Sequence, residues 1–276
     1  MTIEASLRRL HLSSPTPEKL AVFYGVNYGM AVRETDGAWL CTAPGRALAV
    51  SHGPANQLRD ALFAFTSDAA WQRFRERTAS LPSLPLGGEP LLPQGALGFR
   101  DPDGNLIVFA RMPLEDHAPA AADALGAELQ HFALRTRDVP AMLAFYQDAL
   151  GFTLSDQVRD AEGTLKACFL RVNHLHHALA LFGAPVCCFD HQSFETPDWH
   201  QLKTWADDMA SRRTSIVWGI GRHGPGNDVF FMVRDPDGNL AEISSEIETC
   251  ADDRPAGLWT HEERTLNLWG QAIMRS

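Results

Sequence analysis

The sequence predicts an α+β chain of two tandem domains, each built from two βαβββ units, and three observations carry that expectation. The pentapeptide DPDGN occurs twice, at residues 101–105 and 235–239. Upstream of the two copies, LHLSSPTPEKLAVFYGVNYGM from Leu10 and LQHFALRTRDVPAMLAFYQDALGF from Leu129 share a Phe-Tyr pair (Phe23-Tyr24 and Phe145-Tyr146). Both also have a glycine five residues after the Tyr, Gly29 and Gly151. Within the halves, strand-like alternation gives way to helical spacing and then to short strand-like runs.

Taken in order through the second half, LQHFALRT alternates like a half-buried strand. VPAMLAFYQDALGF then carries Met142, Phe145 and Leu150 at helical spacing, with Gly151 as its stop. TLKACFLRV and HHALALF read as strands. A further unit opens at FDHQSFET, passes through the amphipathic PDWHQLKTWADDMASR, and ends in DVFFMVRD, the tight turn DPDGN and LAEISSE. MPLEDHAPAAADALGAEL, rich in Ala and Pro, reads as a linker or connecting helix. The expected division is a first domain over 1–113, a linker over 114–128, a second domain over 129–250 and a tail over 251–276 packing on the second domain. Paired units of this kind curl into a cup lined by residues from several strands.

Composition narrows the function. Among 276 residues, 45% are apolar, which is enough for packed cores without staples. The five cysteines include the neighbours Cys187 and Cys188 and form no C-x-x-C pair, a pattern of reduced thiols. MTIEASLRRLHL lacks the apolar stretch of a signal peptide, and no apolar run approaches the ~18 residues of a membrane span. A soluble cytoplasmic protein is expected. A net charge of −10 without a Lys/Arg cluster disfavours nucleic acid and favours a small-molecule partner.

The halves differ in polarity. The strand after the first DPDGN reads LIVFA and the strand after the second LAEIS, so Glu242 stands where the first half has Val108. His131 and His191 sit at matching places in the first strands of the third and fourth units, and aligning ALFAFT with HQSFET sets Ala61 opposite His191. Any one of these side chains is ordinarily a hydrogen-bonded core or surface group. Together, two imidazoles and a carboxylate make the donor set of the facial triad that holds non-haem Fe(II), with Mn(II) also acceptable. A buried carboxylate without a partner would cost several kcal/mol. In NHLHHALALF, alternate histidines of a strand face opposite sides, so one of His176 and His177 faces the cup and the other faces solvent. His223 lies in the Gly-rich loop GRHGPGN, either as a functional group or as an exposed loop residue. The tail, with Trp259, Leu266, Leu268 and Trp269, is either a cover for the cup or an oligomer contact.

Over residues 10–246 this pattern resembles the type I extradiol dioxygenases of the vicinal oxygen chelate superfamily, which open catechols next to the diol. The resemblance implies a metal-free first domain and Fe(II), or Mn(II), held by His131, His191 and Glu242. It implies His177 as the acid-base residue, with His176 as the fallback, and His223 as a hydrogen-bonding residue beside the substrate. An aromatic diol and O2 are the implied partners, and a homo-oligomer is expected. One departure stands out: Met232, after Phe230 and Phe231, occupies the place of the family's usual Tyr, and a thioether cannot donate its hydrogen bond. Met232, Phe230 and His176 are thus expected in the substrate pocket. Glyoxalase-like and 4-hydroxyphenylpyruvate dioxygenase-like readings fit less well, the first because ligands would come from both halves, the second because the chain is short. The rival from another class is a non-catalytic protein that binds an aromatic ligand, as bleomycin-resistance relatives do.

Overall fold

The computed structural model describes residues 2–84, 86, 89–113 and 125–275. The first half runs β1 (Ala5–Ser14), α1 (Pro17–Tyr28), β2 (Ala31–Thr35), β3 (Ala38–Ala43), β4 (Arg46–His52), β5 (Gln57–Phe65), α2 (Asp68–Thr78), β6 (Leu97–Arg100) and β7 (Leu106–Arg111). The second begins with β8 (Glu128–Thr136), α3 (Val139–Ala144), a π-helical turn over Phe145–Ala149, β9 (Thr153–Arg159), β10 (Leu165–Arg171) and β11 (Leu179–Gly183). It continues with β12 (Cys188–Glu195), α4 (Trp199–Ser211), β13 (Ile216–Arg222), β14 (Val229–Arg234) and β15 (Leu240–Ser245), then β16 (Gly257–Thr260) and α5 (Glu263–Leu266). No helix among the described residues is long and apolar enough to cross a membrane.

Each half forms one sheet, ordered β2-β3-β4-β1-β5-β7-β6 and β13-β14-β15-β12-β8-β11-β10-β9-β16. At the centre of each, the first strands of two units pair antiparallel: β1 with β5, and β8 with β12. Each central strand also has a parallel partner: β4 and β7 in the first sheet, β11 and β15 in the second. Three units follow the βαβββ order. In the second unit, two strands follow α2 among the described residues, and the isolated bridge between Leu84 and Gly98 stands where a third would pair. Most of the expected linker, residues 114–124, lies outside the described residues.

Local chemistry sets the helix ends. The Ser67, Asp138 and Asp198 side chains accept hydrogen bonds from backbone N–H groups three residues on, at the starts of α2, α3 and α4. Gly29 ends α1 at φ 61°, a left-handed conformation that costs glycine little. The shared Phe-Tyr and DPDGN motifs meet across the halves. Each Asp folds its own turn by accepting two backbone N–H bonds, Asp101 from Asp103 and Asn105, Asp235 from Asp237 and Asn239. The other oxygen then accepts a tyrosine hydroxyl from the opposite half: Tyr146 to Asp101 at 2.8 Å, and Tyr24 to Asp235 at 3.1 Å. The duplicated motifs are therefore partners in one reciprocal contact. Around it a continuous apolar core joins both sheets, with Phe63 packing on Phe132 and Phe152.

The strand registers revise one alignment. In the second sheet Ala133 pairs with His191, His131 with Ser193, and Ser193 with Glu242. In the first, His11 pairs with Asp60, Arg9 with Leu62, and Leu62 with Val108. Val108 is thus the counterpart of Glu242, but the counterpart of His191 is Asp60 rather than Ala61, and that of His131 is Arg9.

Candidate metal centre

β15, β12 and β8 are neighbours, so the register puts His131, Ser193 and Glu242 in one row across them. His191, two residues before Ser193, points to the same face. The small Ser193 side chain, bonded to Ser244 at 2.9 Å, separates the three larger groups. Leu62 fills that place in the first sheet, packed with Val108 and Ala110.

The donor atoms converge. His131 Nε2 lies 3.2 Å from His191 Nε2, and Glu242 Oε2 lies 3.9 Å and 3.6 Å from the two nitrogens. All three residues are buried, and their ligand atoms fall within 4.8 Å of one another. The outer nitrogens are already committed: His191 Nδ1 donates to Asp190 Oδ1 at 2.6 Å, and His131 Nδ1 to Gln130 Oε1. The Gln130 amide is held in that orientation by its bond to the His177 carbonyl. With hydrogens on both Nδ1 atoms, neutral rings present two Nε2 lone pairs to each other and to a carboxylate. Burial holds His131 well below the usual histidine range and lowers His191, so the rings are neutral. Neither Glu242 oxygen has a hydrogen-bond partner among the described residues. Burial, with Asp228 second, pushes its carboxyl well above the usual range. Lone pairs turned inward around an orphaned carboxylate fit a divalent cation, which binds neutral imidazole and ionised carboxylate.

The surrounding cavity is lined by His131, His177, His191, His223, Met232 and Trp218, together with Leu266 and Arg275 of the tail. Its enclosed volume is only about 20 Å³, room for about one water. His177 packs on His131 with ring centroids 4.3 Å apart. His176 and His177 depart from the expected strand pair. The segment is irregular between β10 and β11, and both rings are buried, with no solvent-facing member. His176 stands behind His177, its Nδ1 3.1 Å from that of His177 and its Nε2 3.2 Å from Asp156. His223 is half-buried, its Nδ1 donating to the Leu266 carbonyl at 2.5 Å and its ring stacked on Phe230 at 3.7 Å. Burial pushes it down to about 3. Met232 reaches the cavity from the strand position opposite Glu242. Phe230 and His176 are not among the cavity-lining residues and sit one layer back.

Four further residues are placed here by the structure. Asp190 joins His191 to Arg275, which reaches it at 2.8 Å from the tail. Gln130 orients His131. Asp228, fully buried with both oxygens unpartnered among the described residues, forms a second donor group with His223 and Glu242, and burial pushes it up to about 8. The sequence reading missed all four; adjacency to a candidate histidine is a signal that could have found Gln130 and Asp190. Arg275 and Asp228 left no trace in spacing.

A model of the Glyoxalase/Bleomycin resistance protein/Dioxygenase superfamily matches residues 128–243. Metapyrocatechase 2 of Cupriavidus necator is 30% identical over 202 residues, 65% of this chain and 62% of that protein, so the chain spans about three-fifths of that relative's length. Among solved structures, the Mn(II)-bound glyoxalase from Novosphingobium aromaticivorans superposes with a TM-score of 0.80 at 22% identity, covering 98% of this chain and 92% of that one. Homoprotocatechuate 2,3-dioxygenase from Arthrobacter globiformis gives a TM-score of 0.80 at 23% identity, covering 99% and 90%. At these identities the structural likeness concerns the fold, which is the α+β arrangement of tandem paired units expected from the repeat. The match over residues 128–243 makes the second half of the chain similar to members of the Glyoxalase/Bleomycin resistance protein/Dioxygenase superfamily.

Proposed function

We propose that this protein is an extradiol dioxygenase that cleaves a catechol-type ring with O2 at a mononuclear Fe(II), or Mn(II), held by His131, His191 and Glu242. The observation that carries the proposal is the inward convergence of two Nε2 lone pairs on a buried carboxylate that has no hydrogen-bond partner among the described residues. The bound ion would supply Lewis-acid polarisation of vicinal oxygens and a redox partner for O2. Asp190 and Gln130 keep the imidazole hydrogens on the outer nitrogens, and so keep the inner ones basic. Burial, with His131 second, holds His177 well below the usual histidine range, which makes it a neutral base at the cavity wall, able to take and later return a substrate proton. His223 donates Nδ1–H to Leu266, so its Nε2 accepts a hydrogen bond from a substrate hydroxyl. Met232 contributes apolar surface and no donor. The cavity has room for about one water, so a diol needs more space there than this arrangement of side chains leaves.

Metal content after anaerobic purification, followed by oxygen uptake with substituted catechols, tests this reading. Stoichiometric iron or manganese, absent from His191→Ala, with diol-dependent uptake is the expected result. His177→Ala should keep diol binding and lose turnover by on the order of 100-fold or more. Met232 and the small cavity favour a second reading, a ligand-binding protein without chemistry. Ligand binding that is independent of metal would select it.

A further inference from the structure

The first half contains a relay that neither the metal centre nor the interface between halves uses. Ser51 Oγ lies 2.7 Å from His11 Nε2, and His11 Nδ1 lies 2.9 Å from Asp60 Oδ2. A carboxylate only accepts, so Nδ1 carries the hydrogen, and in the neutral ring Nε2 is left to accept the Ser51 hydroxyl. Arg9 Nη2 holds the other Asp60 oxygen at 3.0 Å, fixing the carboxylate plane. The three residues come from adjacent strands β4, β1 and β5, so the relay is built on rigid elements rather than on loops. Pairing with Arg9 accounts for the burial of Asp60. It does not account for the extension through His11 to a serine that opens on a cavity.

That cavity has a volume of about 260 Å³ and is lined by Ser51, His11 and Asp60 together with Arg59, His52 and Glu89, among others. It is somewhat smaller than drug-sized ligand sites, so its ligand would be small. Nucleophile, base and orienting carboxylate in hydrogen-bonded sequence are the arrangement that activates a hydroxyl. We infer that Ser51, His11 and Asp60 form a second reactive site, separate from the metal centre, that accepts the acyl group of a small ester. Ser51 Oγ bonds to the ester carbonyl carbon while its proton passes to His11 Nε2. The bond to the leaving oxygen then breaks, and that oxygen takes the proton from His11. Water attacks the acyl-serine, giving a proton to His11 that returns to Ser51 Oγ as the carboxylic acid departs. Asp60 holds the imidazole tautomer throughout, and Arg59 is the cation available to the negative oxygen.

The test uses the full chain with p-nitrophenyl acetate and with a fluorophosphonate, reading p-nitrophenolate release and locating the adduct by peptide mass spectrometry. The expected result is a stoichiometric burst with the adduct on Ser51. Ser51→Ala, checked for folding by circular dichroism and Tm, should lower the rate by on the order of 100-fold or more, and His11→Gln should do the same. An adduct confined to the exposed Cys187, a rate unchanged in Ser51→Ala, or no reaction would each overturn the inference. Oxygen uptake by Ser51→Ala should match the parent, so failure of the ring-cleavage reading and failure of this one are separable.

Discussion

At three equivalent strand positions the first half carries Arg9, Asp60 and Val108 and the second His131, His191 and Glu242. The first half brings its own cation: the Arg9 guanidinium satisfies Asp60, while Val108 packs beside Leu62. The second has inward lone pairs and a carboxylate without a partner among the described residues, in a space that Ser193 leaves open. One sheet architecture thus holds buried charge in two ways, as an internal ion pair and, on the proposed reading, as a site for an external ion. The difference comes down to a few side chains, since the registers around them are the same.

The contrast can be broken most sharply by giving the second half the residue of the first. Glu242→Val should abolish metal retention, measured by elemental analysis, yet stabilise the metal-free protein by about 1–3 kcal/mol, since it removes an unsatisfied buried group. A metal-free protein destabilised by this change would mean that Glu242 has a partner other than a cation. Next in size, Arg9→Ala should cost about 3–5 kcal/mol in denaturant unfolding, because it leaves the Asp60 carboxylate buried without its guanidinium partner. A smaller loss would show that His11 alone compensates the carboxylate.

Asp190→Asn should weaken metal affinity by about 10–100-fold, read from a competition titration on the folded protein, since it releases His191 Nδ1. Tyr24→Phe and Tyr146→Phe should each cost about 1–2 kcal/mol, and by similar amounts if the halves lean on each other equally. Finally, burial raises the Asp60 carboxyl, but the His11 hydrogen bond and Arg9 more than offset this and hold it below the usual range. The sign follows: stability from Asp60 is present above the unfolded carboxylate value near pH ~4 and is lost as pH falls through the lower folded value. An acid-unfolding curve for Asp60→Asn should lack that component.

Much of this was legible in the sequence. DPDGN and the Phe-Tyr pair exposed the duplication, and the polar residues that break the repeat, His131, His191 and Glu242, are the ones whose donor atoms lie together. Repetition was the signal, because a side chain that departs from its duplicate stands out without any structure. The same comparison failed by one residue at Ala61, since letter alignment cannot see strand register, and shifting by one residue turns a strand's side chains to its other face. Sequence also missed that His176 and His177 are both buried, because the segment leaves strand geometry and the alternation rule no longer holds.

By itself, then, the sequence determined the two-fold repeat, the turn chemistry of each DPDGN and the residue types that can bind a cation, because these depend on local pattern and on the internal copy. Only the tertiary structure decided that Tyr24 and Tyr146 cross between halves, that Arg9 neutralises Asp60, that Arg275 reaches Asp190 from the tail, and that Ser51, His11 and Asp60 align. Those are contacts between residues 40 to 211 positions apart. They are fixed by how strands pair and pack, which no short-range pattern records.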